Sequence, residues 1–381
     1  MDRQDNGTAQ TVRHRLVLFF PGFEPLGAEA HRGRFERALV KTSAAYKVQF
    51  SATPLSKRAT GLDGFSVEGS GPHWQTRTEI AVFDWASILE RYENRSRGRR
   101  FASGATALAA FVLNGTLSRY LGVSWRYGFF FFYPMVMLAA CFAAGVFAAL
   151  FAGPVWLKFI IALAVTTGTL ALASRKAHLL LMMDDWAFAQ CLANQSDAVI
   201  AEKMTAFQDA LKVELSSFAG DEVLVVGHSL GCVFAVDALG AVSSAPDRKV
   251  TLMTAGSSLL KIALHKNADW LRERVSRLVV SGCRWLDVQA LTDVISFYGS
   301  NPATSIGIES AAPPKVLKIR FRHMLSPQSY AKGKYNLFRT HRQFVLGAEQ
   351  PYVYSLHMMA CGPYSGAQIW QQPGLPAQTG S

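Results

Sequence analysis

Ser229 lies between two glycines in a stretch that could position a nucleophilic hydroxyl: Gly227 stands two residues before it and Gly231 two residues after it. The run 223–226 is apolar and rich in β-branched residues, which is typical of a strand buried on both faces. The run 230–239 is apolar and compatible with a helix. The pattern predicts a strand, a sharp turn and a helix, with the serine at the apex and the glycines leaving room for close packing. A serine so placed becomes a nucleophile when a nearby base takes its proton.

The Gly-x-Ser-x-Gly pattern at 227–231 is similar to the nucleophile elbow of the α/β-hydrolase superfamily. Over about residues 15–100 and 180–360, the chain resembles the lipase-like serine esterases of that superfamily. The resemblance implies an α/β-hydrolase fold, in which a mostly parallel sheet is flanked by helices. It also implies the chain order serine, then Asp or Glu, then histidine, so the acid and the base should follow Ser229.

Two aspartates are candidates for the acid that orients the base. Asp287 lies inside a predicted strand, whereas Asp293 lies in the loop beyond it, where a catalytic acid should protrude from the carboxyl end of the sheet. Asp293 is therefore preferred, and Asp287 is the alternative. Either residue could instead belong to a surface turn or cap a helix.

Four histidines follow the serine. His265 precedes the candidate acids and His323 ends the last major predicted strand, so the family's chain order disfavours both. His341 lies in a segment after that strand, where the family's histidine is expected. His357 is the alternative base, although its apolar setting is more typical of a histidine in a packed core.

The resemblance also indicates which backbone amides would face a developing oxyanion. One donor is the residue after the nucleophile, here Leu230, and the second comes from the loop after an early strand. In that loop Pro21 cannot donate, which leaves Gly22 and Phe23, and the resemblance favours Phe23. A strand-ending Pro-Gly turn without a catalytic role is the alternative interpretation.

The stretch from 127 to 157 contains no charged residue. Two apolar blocks, 129–151 and 155–173, are separated by a Gly-Pro pair, and each is about long enough to cross a ~30 Å hydrocarbon core as a helix. The sequence therefore predicts an inserted transmembrane helical hairpin with a very short connection. A buried hairpin of a soluble protein and a re-entrant segment are the alternatives.

Charges at the ends of the hairpin predict its orientation. Arg119 and Arg126 precede the first block, Arg175 and Lys176 follow the second, and Lys158 alone lies at the far end. By the positive-inside rule, both termini and the catalytic part face the cytoplasm, at an inner membrane of bacterial type or its equivalent.

Composition is consistent with a membrane location. Of the 381 residues, 50% are hydrophobic, and the formal net charge is +12. We recognise no nucleic-acid-binding module, so the basic excess favours a membrane surface over nucleic acid as partner. The five cysteines show no disulfide or metal-ligand spacing, and we find no H-E-x-x-H, Walker A or G-x-G-x-x-G motif, so no metal or organic cofactor is predicted.

These features divide the chain into five segments. The predicted segments are a polar N-terminal tail at 1–14, a first hydrolase part at 15–100, a membrane insertion at 101–178, a second hydrolase part at 179–362 and a flexible C-terminal tail at 363–381.

The predicted function is that of a membrane-anchored serine hydrolase. It would cleave carboxylic esters, lipid-like or other acyl esters, through Ser229, His341 and Asp293 by way of an acyl-enzyme. An acyltransferase or a thioesterase would use the same residues. A non-catalytic membrane interaction protein on a hydrolase scaffold is the alternative from another class.

Overall fold

The computed structural model describes residues 11–242 and 249–376, which form one mixed sheet with helices on both faces. In these residues the sheet has nine strands. They are β1 His14–Phe20, β2 Gln49–Ala52, β3 Ser56–Lys57, β4 Asp63–Gly71, β5 Trp74–Val82, β6 Glu222–His228, β7 Val250–Ala255, β8 Arg284–Ala290 and β9 Lys315–Ile319.

The strand order is β2-β4-β5-β1-β6-β7-β8-β9, with β3 paired to β4. Every neighbouring pair from β5 across to β9 is parallel, whereas the pairs that involve β4 are antiparallel. The prediction of a mostly parallel sheet flanked by helices is therefore confirmed. Because parallel strands end at the same edge, the residues that follow β1, β6, β7 and β8 meet there.

The described residues also form sixteen α-helices. They are α1 Ala28–Tyr46, α2 Ala86–Glu93, α3 Arg97–Leu113, α4 Thr116–Val123, α5 Trp125–Phe131, α6 Tyr133–Ala149, α7 Val155–Lys176, α8 Leu179–Asn194, α9 Ala198–Ser217, α10 Gly231–Val242, α11 Leu259–Ala263, α12 Asp269–Val280, α13 Pro327–Gly333, α14 Leu337–Arg342, α15 Leu356–Cys361 and α16 Gly366–Gln371.

Alternate residues of the central strands enter different cores. Leu16 and Leu18 of β1 join the core that contains α8 and α10, whereas Val17 and Phe19 join the core that contains α1 and α15. Every residue of β6 is buried, which agrees with the continuously apolar run that predicts this strand. The sheet thus forms the middle layer between two layers of helices.

Two helical segments are long and apolar enough to cross a membrane. The first runs over Trp125–Ala149, through α5 and α6, and the second is α7. They approach closely at Gly145, where a Cβ would stand 2.1 Å from Thr166 Oγ1, and small residues allow such contacts between membrane helices. Large apolar side chains such as Phe142 are exposed on the outside of the pair. These features are compatible with a membrane protein.

The prediction of a flexible tail over 363–381 is wrong for residues 363–376. Helix α16 contacts β7 and β8, and Ile369 and Leu375 are buried against the sheet. A six-residue helix needs few apolar anchors, so a segment rich in glycine, proline and glutamine shows no periodic pattern that would predict it. Residues 377–381 lie outside the described residues.

The N-terminal part also joins the fold earlier than the predicted tail at 1–14 implies. Residues 1–10 lie outside the described residues. Val12 is buried, and its amide donates a hydrogen bond to Pro363 O at 3.1 Å, ahead of the first residue of β1, His14.

The side chain of Arg15 links β1 to the C-terminal segment. It is fully buried, lies 2.6 Å from Glu222 Oε1 and donates to the carbonyls of Met359 and Ala360 at 3.0 and 2.8 Å. We expect Arg15→Met to lower the free energy of unfolding by about 3–5 kcal/mol, because it leaves a buried carboxylate without its cation. Chemical denaturation in detergent micelles measures this change.

The control for this experiment is Arg77→Met. The Arg77 side chain is 59% exposed and its ion-pair contact is 3.9 Å long, so we expect a change within about 0.5 kcal/mol. Equal effects of the two substitutions would contradict the prediction.

Candidate active site

Ser229 lies between the end of β6 and the start of α10, with a backbone φ of 55°. Residues with a side chain rarely adopt this left-handed conformation, and it persists only where the surroundings fix it. The Ser229 amide donates to Ala255 O at 3.2 Å, and the Ser229 carbonyl accepts from the Ser258 amide at 3.1 Å. The strand, turn and helix that the sequence predicts are present, with the serine in the turn.

The two glycines of this turn are required by contacts between backbones. A Cβ on Gly231 would stand 2.2 Å from Phe20 O, and a Cβ on Gly227 would stand 2.7 Å from Cys232 Cα. Because both neighbours are backbone atoms, neither can move aside without shifting a strand or a helix. The glycines therefore allow α10 to lie directly against β6 and β1.

His341 and Asp293 form a buried pair. His341 lies in α14, Asp293 follows β8, and His341 Nδ1 is 2.9 Å from Asp293 Oδ2. The Asp293 carboxylate also accepts from the Ile295 amide at 3.0 Å. His341 Nε2 is buried and has no hydrogen-bond partner among the described residues, and His341 and Ser229 line the same cavity.

The electrostatics of the pair favour an ionised carboxylate. Burial alone would raise the pKa of Asp293, but the neighbouring His341 ring and the hydrogen bonds from His341 and the Ile295 amide outweigh it and hold the pKa below its usual value. An ionised carboxylate accepts from Nδ1–H, which assigns the proton to Nδ1 and leaves the lone pair on Nε2. The histidine is thereby suited to take a proton on the cavity side.

Asp287 lies within β8 and makes other contacts. Its carboxylate accepts from Thr254 Oγ1 at 2.5 Å and from Gln289 Nε2 at 2.7 Å. Burial raises its pKa to about 6, against the opposing effect of these two hydrogen bonds. The structure thus brings Asp293, and not Asp287, to His341.

His357 lies in α15 and packs against Phe35 of α1, with ring centroids 4.5 Å apart. These residues belong to the core on the opposite side of the sheet from α8 and α10. Burial lowers the pKa of His357 to about 3, which keeps the ring neutral. The structure thus gives His357 the packed core setting that its sequence context suggests.

His228 precedes the serine and supports the backbone of the candidate base. Its Nε2 lies 3.2 Å from His341 O, and the two rings are 5.1 Å apart. Burial, and secondarily the neighbouring His341, lowers the pKa of His228 to about 3. A neutral His228 can donate from Nε2 to that carbonyl and so fix the start of the turn after α14.

The loop after β1 lies directly beside the serine. A Cβ on Gly22 would stand 3.0 Å from Ser229 Cβ and 2.9 Å from His228 Nδ1, and Phe23 lines the same cavity. Within residues 11–242 and 249–376, the amides of Phe23 and Leu230 donate no hydrogen bond. Two backbone N–H groups near the serine are therefore available to an anionic oxygen.

Two further residues of the cavity were not predicted from the sequence. Ser258 Oγ is 3.5 Å from Ser229 Oγ, and Lys261 forms a buried ion pair with Asp185 while its Nζ lies 4.0 Å from the centre of the Trp186 ring. The only sequence signal for them is that 256–258 follow a predicted strand. Locating them requires the order of β6 and β7 in the sheet.

The cavity has a volume of about 710 Å³ and includes Ser229 and His341 in its wall. It is large enough for a small organic ligand. No group of three or more His, Cys, Asp or Glu side chains that could hold a metal ion occurs in the part of the chain that the structure describes.

Comparisons of the chain with protein-family models, with curated proteins and with solved structures find no match. The functional interpretation therefore rests on the geometry of the cavity and on the residues that line it.

Proposed function

We propose that this protein is a membrane-anchored serine hydrolase of the α/β-hydrolase type that cleaves carboxylic esters. The observation that carries the proposal is the buried His341–Asp293 pair, whose free Nε2 borders the same cavity as Ser229 in its left-handed turn. A serine, a histidine and a carboxylate so arranged are the groups that acyl transfer requires.

In this mechanism His341 Nε2 takes the Ser229 proton as Ser229 Oγ attacks the ester carbonyl carbon. The carbonyl oxygen becomes an oxyanion, which accepts from the amides of Leu230 and Phe23. The imidazolium gives its proton to the leaving alcohol, the C–O bond breaks, and an acyl-enzyme remains. Water, activated by the same histidine, then releases the carboxylic acid. Asp293 stays ionised throughout and stabilises the imidazolium.

Within the described residues His341 Nε2 accepts no hydrogen bond from Ser229. In the proposed mechanism this contact forms when substrate fills the cavity.

The hairpin would anchor this site at the cytoplasmic face of a membrane. Arg119 and Arg126 precede the first apolar segment and Arg175 and Lys176 end α7, whereas Lys158 alone lies near the connection. This charge distribution supports cytoplasmic termini and a cytoplasmic catalytic part.

A fluorophosphonate probe tests the proposed function, because it forms a covalent bond only with an activated serine. We expect wild-type protein to be labelled and Ser229→Ala to show no labelling. The matched control is Ser216→Ala, whose hydroxyl lies on the exposed side of α9, and it should label like wild type. Absence of labelling in well-folded wild type would favour a non-catalytic protein on this scaffold.

A further inference from the structure

The Ser229 cavity extends to one face of the apolar helix α7. Thr167, Leu170, Ala171, Ser174 and Arg175 line it, with the spacing of a single helical face. From the first to the last of these residues the helix rises about 12 Å, which approaches the ~15 Å depth of half a hydrocarbon core. Part of the cavity wall thus belongs to a segment that is apolar enough to lie in a bilayer.

Polarity along this face changes in one direction. The face is polar near the charged end of α7, at Arg175 and Ser174, and apolar further along, at Ala171 and Leu170. The Thr167 hydroxyl adds little polarity to this face, because it donates a hydrogen bond to a carbonyl within α7. A membrane phospholipid has the same order along the bilayer normal, from phosphate through ester to acyl chain.

Much of the rest of the cavity wall is apolar and suits an acyl chain. It includes Phe101, Phe130, Leu180, Leu181, Met182 and Phe338.

Two arginines of the cavity have no ion-pair partner among the described residues: Arg97 and Arg175. The other cations that line the cavity are paired, Arg100 with Asp184, Lys261 with Asp185 and Arg342 with Glu24.

The position of Arg97 is not explained by the stability of its helix. It is the first residue of α3, where the helix dipole disfavours a positive charge, and no acidic residue lies in that turn. A guanidinium there, together with Arg175 at the end of α7, offers charge-assisted hydrogen bonds to phosphate oxygens.

We infer that the substrate is a membrane lipid ester with a phosphate-containing, anionic head group, which reaches Ser229 along α7 from within the leaflet. The inference rests on the proposed function. Arg97 and Arg175 bind the phosphate, and an acyl chain lies between α7 and the apolar wall. Hydrolysis breaks the acyl C–O bond of the ester, adds one water, and yields a fatty acid and a lipid with one free hydroxyl.

The test uses the full chain in nanodiscs of ether-linked phosphatidylcholine, which this reaction cannot cleave. The discs contain either diacyl phosphatidylglycerol or diacylglycerol with the same chains, and released fatty acid is measured. We expect wild type to cleave phosphatidylglycerol at least about tenfold faster than diacylglycerol. Replacing both arginines, Arg97→Gln and Arg175→Gln, should abolish this preference. Lys176 keeps a positive charge at the end of α7 in this variant.

A second pair of variants tests the route along α7. Ala171 lines the cavity, so Ala171→Trp places an indole ring inside it. Leu172 lies at the same depth but is 57% exposed, so Leu172→Trp places the ring on the outer surface of α7. Relative to p-nitrophenyl butyrate, a soluble ester, lipid turnover should fall at least about tenfold in Ala171→Trp and stay at the wild-type level in Leu172→Trp.

The outcomes separate the two proposals. Hydrolysis of the soluble ester without hydrolysis of phosphatidylglycerol, or equal effects of the two tryptophan variants, would overturn the lipid inference and leave the hydrolase intact. Faster cleavage of dibutyryl phosphatidylglycerol in solution than of the long-chain lipid in the disc would point to a soluble phosphate ester instead. If the wild type cleaves no ester and takes no fluorophosphonate, the proposed function itself fails.

Discussion

Replacing His341 with alanine is expected to lower kcat for a soluble acyl ester by on the order of 10⁴-fold or more, because Ser229 then loses its base. His228 cannot take over this role, since burial lowers its pKa to about 3 and so makes its ring a weak base at neutral pH. Release of p-nitrophenol from p-nitrophenyl butyrate by protein in detergent micelles measures the change.

The matched control is His357→Ala, which removes the other histidine that the sequence offers as base. This ring packs on Phe35 in the core on the other side of the sheet, so its loss should lower the melting temperature but leave turnover per folded molecule within a few-fold of wild type. If His357→Ala abolished turnover and His341→Ala did not, the assignment of the base would be wrong.

The local parts of the site could be predicted because they depend on short-range sterics. The glycines at 227 and 231 and the apolar run before them predict a tight strand–helix turn. In the structure a Cβ at either position would stand only 2.2 to 2.7 Å from a backbone atom, so larger residues would not fit. The positions of Asp287 inside a strand and Asp293 beyond it could likewise be read from the run of apolar residues.

Parts that depend on the order of the strands could not be predicted. Ser258 lies beside Ser229 because β7 is the neighbour of β6, and nothing in the local sequence encodes that pairing. The contribution of α7 to the cavity is of the same kind, since its apolar residues predict a membrane span but not which face meets the catalytic part.

Most residues of the stretch 91–100 are exposed, but Arg100 is partly buried. Arg100 reaches the buried Asp184 with a contact of 2.5 Å, and α3 begins at Arg97. Whether an arginine is buried in an ion pair or stays in solvent depends on carboxylates 80 or more residues away, because a buried carboxylate is stable only when it is paired.

Replacing Asp293 with asparagine is expected to lower kcat about 10⁴-fold while leaving the fold intact. An asparagine has nearly the same shape, but it carries no charge to stabilise the imidazolium, and its amide can donate to Nδ1 and so favour the tautomer in which Nε2 holds the proton. In wild type the lowered pKa of Asp293 keeps the carboxylate ionised at neutral pH.

The control is Asp287→Asn, assayed at about pH 8, where both aspartates are ionised and each substitution therefore removes one buried negative charge. Because the pKa of Asp287 is raised to about 6, the stability linked to its protonated form is complete below the unfolded pKa and is lost as the pH rises through about 6. At pH 8 the wild type therefore bears the free-energy cost of a buried, ionised Asp287, which the variant lacks. Asp287→Asn should keep turnover within about tenfold of wild type. If both variants fold and only Asp293→Asn loses turnover, the reaction depends on the charge beside His341 and not on buried charge in general. Equal losses of turnover would mean that neither carboxylate acts on the base directly.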